Sequence, residues 1–244
     1  MWGGEHDVYS KLPYTVIELH RTCYTHNEIL DKYFLSIWNR SQKREEMKFS
    51  YEMIWDDFYL FLIGHMAKHF LYAGIGIRSL LDLVVFKEKL EKKCDREYIE
   101  NMLKQASFWE IEKKLNNLSQ RCFNQKTMDS TEEKLFEFIL KSGLQGTSKN
   151  SIGFEIVKNG NTREKILKNQ IKLIKEYTFP SKKRMKEKYF YVKKYPFLLP
   201  IAWIHRGIYY IIFERKKVFV FIKNISNRKN ANKIIEIHKE AGLD

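Results

Sequence analysis

The sequence has few residues that staple or break a chain. Its three cysteines, Cys23, Cys94 and Cys122, lie far apart and form no Cys-x-x-Cys pair. That excludes a disulfide framework and a thiolate zinc site, and it points to a reducing, cytoplasmic compartment. Only 4 prolines and 11 glycines occur in 244 residues, so obligatory breaks are rare and long helices are favoured. No long apolar run is present either. A spanning helix needs about 20 mostly apolar residues, and the longest stretch, 197–213, is interrupted by Pro200, His205 and Arg206. No transmembrane segment is therefore expected. The first seven residues carry neither a basic region nor an apolar run, so no signal peptide is expected there.

Hydrophobic and aromatic residues are plentiful, at 44% and 15%. A chain of this size buries a sizeable core, roughly 70% of its unfolded surface. Lys and Arg outnumber Asp and Glu by 44 to 30, a net charge of +14. Such a balance suits a nucleic acid, an anionic membrane surface or a phosphate-rich substrate. It also arises from lysines spread over solvated helix faces.

Alternation of apolar and polar residues predicts two short strands, 6–11 and 14–20, joined at Leu12-Pro13, with Val8, Val16, Ile17 and Leu19 as core candidates. From Asn27 the apolar spacing becomes helical. Helices are expected at 27–38, 56–72, 78–90, 96–106 (capped by Asp95), 108–123 and 130–143. A charged break falls at 40–48. The Gly, Ser and Asn content of 143–161 predicts a loop with a strand-like piece at 154–157. Helices resume at 163–177, 182–188 and up to Phe213, and the charged tail from Lys216 is also read as helical.

The densest chemistry lies between Asp56 and Asp82. His65 and His69 are four apart and share a helix face, with Lys68 beside them. Arg78 and Asp82 share a face of the next helix. The turn Gly74-Ile75-Gly76 joins the two helices and brings His69 and Arg78 closest together. A metal site from His65, His69 and Asp82 is chemically conceivable, but a metalloprotease needs Glu after the first His and here Met66 follows. An anion site is the second reading, with Lys68, His69 and Arg78 on phosphates and Asp82 orienting Arg78. The third is polar packing within an apolar helix pair.

The runs Leu62-Ile63-Gly64-His65-Met66-Ala67-Lys68-His69-Phe70 and Gly74-Ile75-Gly76-Ile77-Arg78-Ser79-Leu80-Leu81-Asp82 resemble a family of bacterial nucleotidyltransferases of the polymerase-beta-like superfamily. His6-Asp7-Val8-Tyr9 and Ile17-Glu18-Leu19-His20-Arg21 look like the end of its catalytic sheet. Phe179-Pro180-Ser181, Tyr195-Pro196 and the segment 199–206 look like its C-terminal signature. The resemblance implies an α+β fold, predominantly α, in which a short strand remnant of the catalytic sheet precedes a helical bundle. Residues 1–48 would be the end of the catalytic domain and 49–244 the helical domain. It implies Glu18 as the third catalytic acid, a general base or metal neighbour, and Lys68, His69, Arg78 and Asp82 as nucleotide-binding residues.

The superfamily's reaction also needs a Gly-Ser turn followed by an Asp-x-Asp pair that holds two magnesium ions. The sequence contains no such pair. Asp56 and Asp57 are adjacent and diverge by about 100° on a helix. Gly146-Thr147-Ser148 is the one Gly-hydroxyl turn of interest, and no strand acids follow it. The chain is therefore expected to begin inside the catalytic domain. The resemblance implies transfer of a nucleotidyl group from a nucleoside triphosphate to an unidentified hydroxyl acceptor, an activity that these residues alone would not support. The alternative is a non-enzymatic basic helical module that binds nucleic acid or a protein partner. Self-association through the N-terminal strands is a further expectation.

Overall fold

The computed structural model describes residues 6–243 except Leu12, Arg21, Thr22, Tyr24, Gln125, Gln145 and Asn161. Leu12 of the expected Leu12-Pro13 turn and Arg21 of the Ile17–Arg21 block thus lie outside the described residues. The chain divides into two compact units. Unit 1 comprises Met1–Gly146 and Ile237–Asp244, and unit 2 comprises Thr147–Glu236. The boundary expected at 48/49 falls inside unit 1.

Unit 1 opens with β1 (His6–Lys11) and β2 (Thr15–His20), an antiparallel hairpin in which Val8 faces Glu18 and Asp7 faces Leu19. The structure departs here from the sequence expectation. Val8, Val16, Ile17 and Leu19 are all more than half exposed instead of facing a core. A two-stranded ribbon has too little surface to build a core of its own.

Helices α1 (Glu28–Phe34) and α2 (Ile37–Arg40) occupy the predicted first helix, which breaks at Leu35-Ser36. Asn27 caps α1 by accepting from the Leu30 N–H at 3.1 Å. The charged segment 40–48, read as a break, leads through a second small hairpin, β3 (Gln42–Lys43) with β4 (Tyr51–Glu52). Then come α3 (Trp55–Tyr72), α4 (Ile77–Lys89), α5 (Arg96–Gln105), α6 (Trp109–Phe123) and α7 (Ser130–Ser142). Asp95 caps α5, as expected. Asp129 caps α7, with Glu132 reaching back to the Asp129 N–H in a reciprocal capping box.

The core of unit 1 is built from one stripe of each helix. Leu30, Leu60, Ile63, Leu83, Leu103 and Leu118 are almost wholly excluded from solvent. Phe86 of α4 meets Tyr59 of α3 with ring centroids 4.4 Å apart, so the far end of α4 returns to the start of α3 and the pair runs antiparallel. Two glycines permit close approaches. A Cβ on Gly64 would lie 2.8 Å from Thr25 Cγ2 and 2.9 Å from Leu30 Cδ1, and one on Gly76 would lie 2.3 Å from the Gly143 carbonyl oxygen.

Two carboxylates are completely buried in this core. Asp57 accepts from the Tyr33 hydroxyl and from Arg40 Nε at 2.9 Å, and Arg40 lies over the Tyr33 ring at 4.0 Å. Glu112 accepts from the Tyr59 hydroxyl at 2.7 Å and pairs with Arg96 at 2.7 Å. The first network pins α1 and α2 to α3; the second pins α6 to α3 and α5.

Unit 2 contains α8 (Ser148–Val157), α9 (Arg163–Thr178), α10 (Lys182–Lys188), α11 (Phe190–Lys194), α12 (Leu199–Phe213) and α13 (Arg215–Ile225). The last helix, α14 (Arg228–Ala241), starts in unit 2 and ends in unit 1. Helix α8 corrects the reading of 143–161 as a loop with a strand-like piece. Thr147 caps it by accepting from the Asn150 N–H. Gly153 lets the helix lie against Asn230 and Ile234, and Ile156 and Val157 are buried. Burial thus overrides the β-propensity of the Phe-Glu-Ile-Val run. A small core of Met185, Val192 and Ala202 holds α10, α11 and α12 together.

The two neighbouring acids Asp56 and Asp57 should behave very differently. Asp57→Ala strands Arg40 and the Tyr33 hydroxyl and should cost about 3 kcal/mol. Asp56 accepts one backbone N–H, from Asp95, and Asp56→Ala should cost about 1 kcal/mol. Urea-denaturation midpoints at constant slope give both values.

Candidate functional site

The polar face of α3 follows from helical spacing. His65, Lys68, His69 and Tyr72 recur at i, i+3, i+4 and i+7 and share one side. His65 and His69 have ring centroids 4.4 Å apart, and Phe61 borders His65 at 5.5 Å. His26, just before α1, approaches the same face. His26 adopts a left-handed backbone, φ 60°, uncommon for a residue with a side chain. Its ring lies 4.9 Å from Tyr72, within 3.4 Å of the hydroxyl at Nδ1.

The electrostatics record this convergence. Burial first, and then the charges of His69, Lys68 and His20, lower the His65 pKa to about 4. The His69 pKa is also lowered, by burial and by Lys68 and His26. His20 therefore lies close enough to His65 for their charges to interact. Strand alternation puts His20 on the same hairpin face as Glu18, and the two side chains approach to 3.6 Å.

The predicted site residues accordingly fall into three groups. Glu18 is exposed on β2, beside His20. Lys68 and His69 are half-buried on α3. Arg78 and Asp82 lie on the first turns of α4, both exposed, and no ion pair joins them among the described residues. Asp82 thus does not orient the Arg78 guanidinium, contrary to the expectation from their spacing. The antiparallel α3–α4 pair does put Lys68, His69 and Arg78 at its turn end. That turn is held in place by the backbone approach of Gly76 to Gly143.

Residues 3–124 match the model of a family described as an uncharacterised nucleotidyltransferase. The chain belongs to this nucleotidyltransferase family. No curated protein and no solved structure matches. Within the matched nucleotidyltransferase segment lie both hairpins, helices α1 to α6, both buried carboxylate networks and all five predicted site residues. The segments at 179–181 and 195–206, read as a C-terminal signature, lie outside it.

The donor set does not fit the two magnesium ions of nucleotidyl transfer. Among the described residues no three His, Cys, Asp or Glu side chains are grouped to hold a metal, and Asp7 is on the hairpin face opposite Glu18. The metal reading of His65, His69 and Asp82 likewise finds no such group.

Sequence spacing had singled out His65, Lys68 and His69 but missed His20 and His26. Two histidines just before a helix cap are the only sequence signal of their approach.

The depressed histidines give a pH dependence with a definite sign. His238, on the part of α14 in unit 1, is lowered by burial to about 4, as is His65. Both titrate nearer 6.5 when unfolded, so the unfolded chain binds more protons between about 4 and 6.5. Stability should be fully present above pH 6.5 and fall as pH drops through that window. Urea midpoints measured across it should show the fall, and a His65→Gln, His238→Gln double variant should flatten it.

Proposed function

We propose that the turn end of α3 and α4 binds the triphosphate of a nucleoside triphosphate, and that Glu18 is the acid the family contributes from its last catalytic strand. The observation that carries this reading is that His20, 3.6 Å from Glu18 on one strand face, lies near enough to His65 on the Lys68 face of α3 to help lower its pKa. Lys68 and Arg78 supply positive charge for phosphate oxygens. Half-buried His69, kept neutral near pH 7, donates a hydrogen bond without adding repulsion between cations. Gly76, at the cap of α4, brings no side-chain acceptor of its own, and the first-turn N–H groups favour an anion.

The reaction class of the family is nucleotidyl transfer, in which an acceptor hydroxyl attacks the α-phosphorus and pyrophosphate leaves. In these 244 residues Glu18 is the one acid assigned to it. A single exposed carboxylate cannot position two divalent ions on the attacking and leaving oxygens. We therefore read the chain as competent to bind nucleotide and silent in catalysis by itself.

Two experiments test this. Arg78 is exposed and outside any ion pair among the described residues, so Arg78→Ala should weaken nucleoside triphosphate binding about tenfold without moving the melting temperature. Calorimetric titration with each of the four triphosphates measures it, and unchanged affinity would refute the phosphate site. The purified chain, incubated with labelled triphosphates and magnesium or manganese, should show no transfer. Metal-dependent transfer that disappears in Glu18→Ala would overturn the assignment of silence.

A further inference from the structure

The net charge of the chain is not evenly distributed. Unit 2 holds 22 Lys and Arg against 6 Asp and Glu, a net +16, and the remainder of the chain holds 22 against 24, a net −2. The cationic unit also carries an exposed apolar helix face. Pro196–Phe213 is long and apolar enough, by length and composition, to cross a membrane, yet only 6% of it is buried.

Helix α12 is two-sided. Ala202, Trp203, Arg206 and Tyr210 turn inward: Ala202 is fully buried, Trp203 Nε1 donates to the Pro180 carbonyl at 3.0 Å, and Arg206 donates to the Tyr177 carbonyl at 2.9 Å. These bonds hold one face of α12 on unit 2. The opposite stripe is Ile201, Ile204, Ile208 and Ile211, exposed by 57%, 64%, 53% and 69%.

Next to this stripe a groove of about 720 Å³ runs between α9, α12 and α13, lined among others by Ile174, Phe179, Trp203, Ile204, Ile211 and Ile222. A second cavity of about 310 Å³ shares its Tyr177, Arg206, Tyr210 and Phe221 wall. Arg184 and Lys188 also line that cavity, and neither has a carboxylate partner among the described residues. Lys188 Nζ lies 5.2 Å and the Arg206 guanidinium 4.3 Å from the Tyr210 ring. The one acid there is Glu176, whose nearest cation is Lys172 at 3.9 Å.

We propose that unit 2 docks on the surface of an anionic lipid bilayer, with α12 lying in the interface. The isoleucine stripe enters the acyl boundary, the groove accepts apolar chain, and the exposed Arg184 and Lys188 meet lipid phosphates. An apolar helix face flanked by cations and by Tyr and Trp is the pattern of an interfacial helix. The inward-facing Arg206 and the bonds to Pro180 and Tyr177 suit a helix that lies on a membrane rather than spans one. A second copy of this surface would bring +16 against +16. Nucleic acid would satisfy the cations and leave the aliphatic stripe in water. The inference is independent of the nucleotide site in unit 1.

The test is sedimentation of the full chain with vesicles of phosphatidylcholine alone and of phosphatidylcholine mixed with phosphatidylglycerol. The mixed vesicles should bind it strongly, the neutral ones weakly, and salt should weaken the difference. Lys188→Ala should lower binding about five-fold and Ile204→Asp about tenfold or more, with melting curves unchanged because both side chains are exposed. Three results would overturn the proposal: no preference for the anionic vesicles, binding untouched by Ile204→Asp, or a monomer–dimer equilibrium in solution that Ile204→Asp abolishes while vesicle binding is absent. Competition by single-stranded RNA that leaves Ile204→Asp without effect would also overturn it, in favour of nucleic acid.

Discussion

Asp57 is completely buried, and a carboxylate in that position is tolerated only when its charge is met from close by. Tyr33 and Arg40 meet it, and both come from the helices that precede α3. Glu112 repeats the arrangement with Tyr59 and Arg96. Because the two networks grip α3 from different sides, the helix is fixed against rotation about its own axis. Asp57 lies on the same stripe as Phe61, His65 and Lys68, spaced by four, four and three residues. The structural carboxylate at one end of the stripe therefore fixes the direction in which the basic residues at the other end point. Gly64, midway along, lets Thr25 and Leu30 come close enough for the stripe to be walled on one side.

Much of unit 1 was legible because its helices are periodic and three of them, α1, α5 and α7, start at side-chain caps. Asp95 was read as a cap and serves as one, and the spacing of His65, Lys68 and His69 defined a face that the fold keeps. What escaped the reading depends on partners distant in sequence. Nothing in the pair Asp56-Asp57 says which acid is buried until Tyr33 and Arg40 are placed. The strand-like run at 154–157 becomes helical because Asn230 and Ile234 pack against Gly153. The left-handed backbone at His26, where its ring meets Tyr72 of α3, is not something spacing reveals. Conversely, Arg78 and Asp82 have ideal helical spacing for an ion pair and form none, since both side chains remain in water, where such a pair gains little.

Whole-chain composition concealed a second fact. The net charge of +14 does not say where the cations lie, and unit 1 is close to neutral. The nucleotidyltransferase-family unit thus has no strong overall field with which to attract a triphosphate. On the proposed reading, attraction there would rest on Lys68 and Arg78 at the turn between α3 and α4. The long-range field belongs to unit 2.

Helix α14 begins in unit 2 and finishes in unit 1. There Lys134 pairs with Glu240, a Cβ on Gly242 would meet Glu110 at 2.6 Å, and His238 lies against Phe70. The unit whose first 146 residues leave the ribosome early is therefore incomplete until residues 237–244 have followed. Throughout synthesis of unit 2, the surface that awaits this last turn of helix stays uncovered. Closure of unit 1 is a late event set by the length of the intervening segment, and a ribosome stalled anywhere in residues 147–236 holds a nucleotidyltransferase-family unit with an open seam.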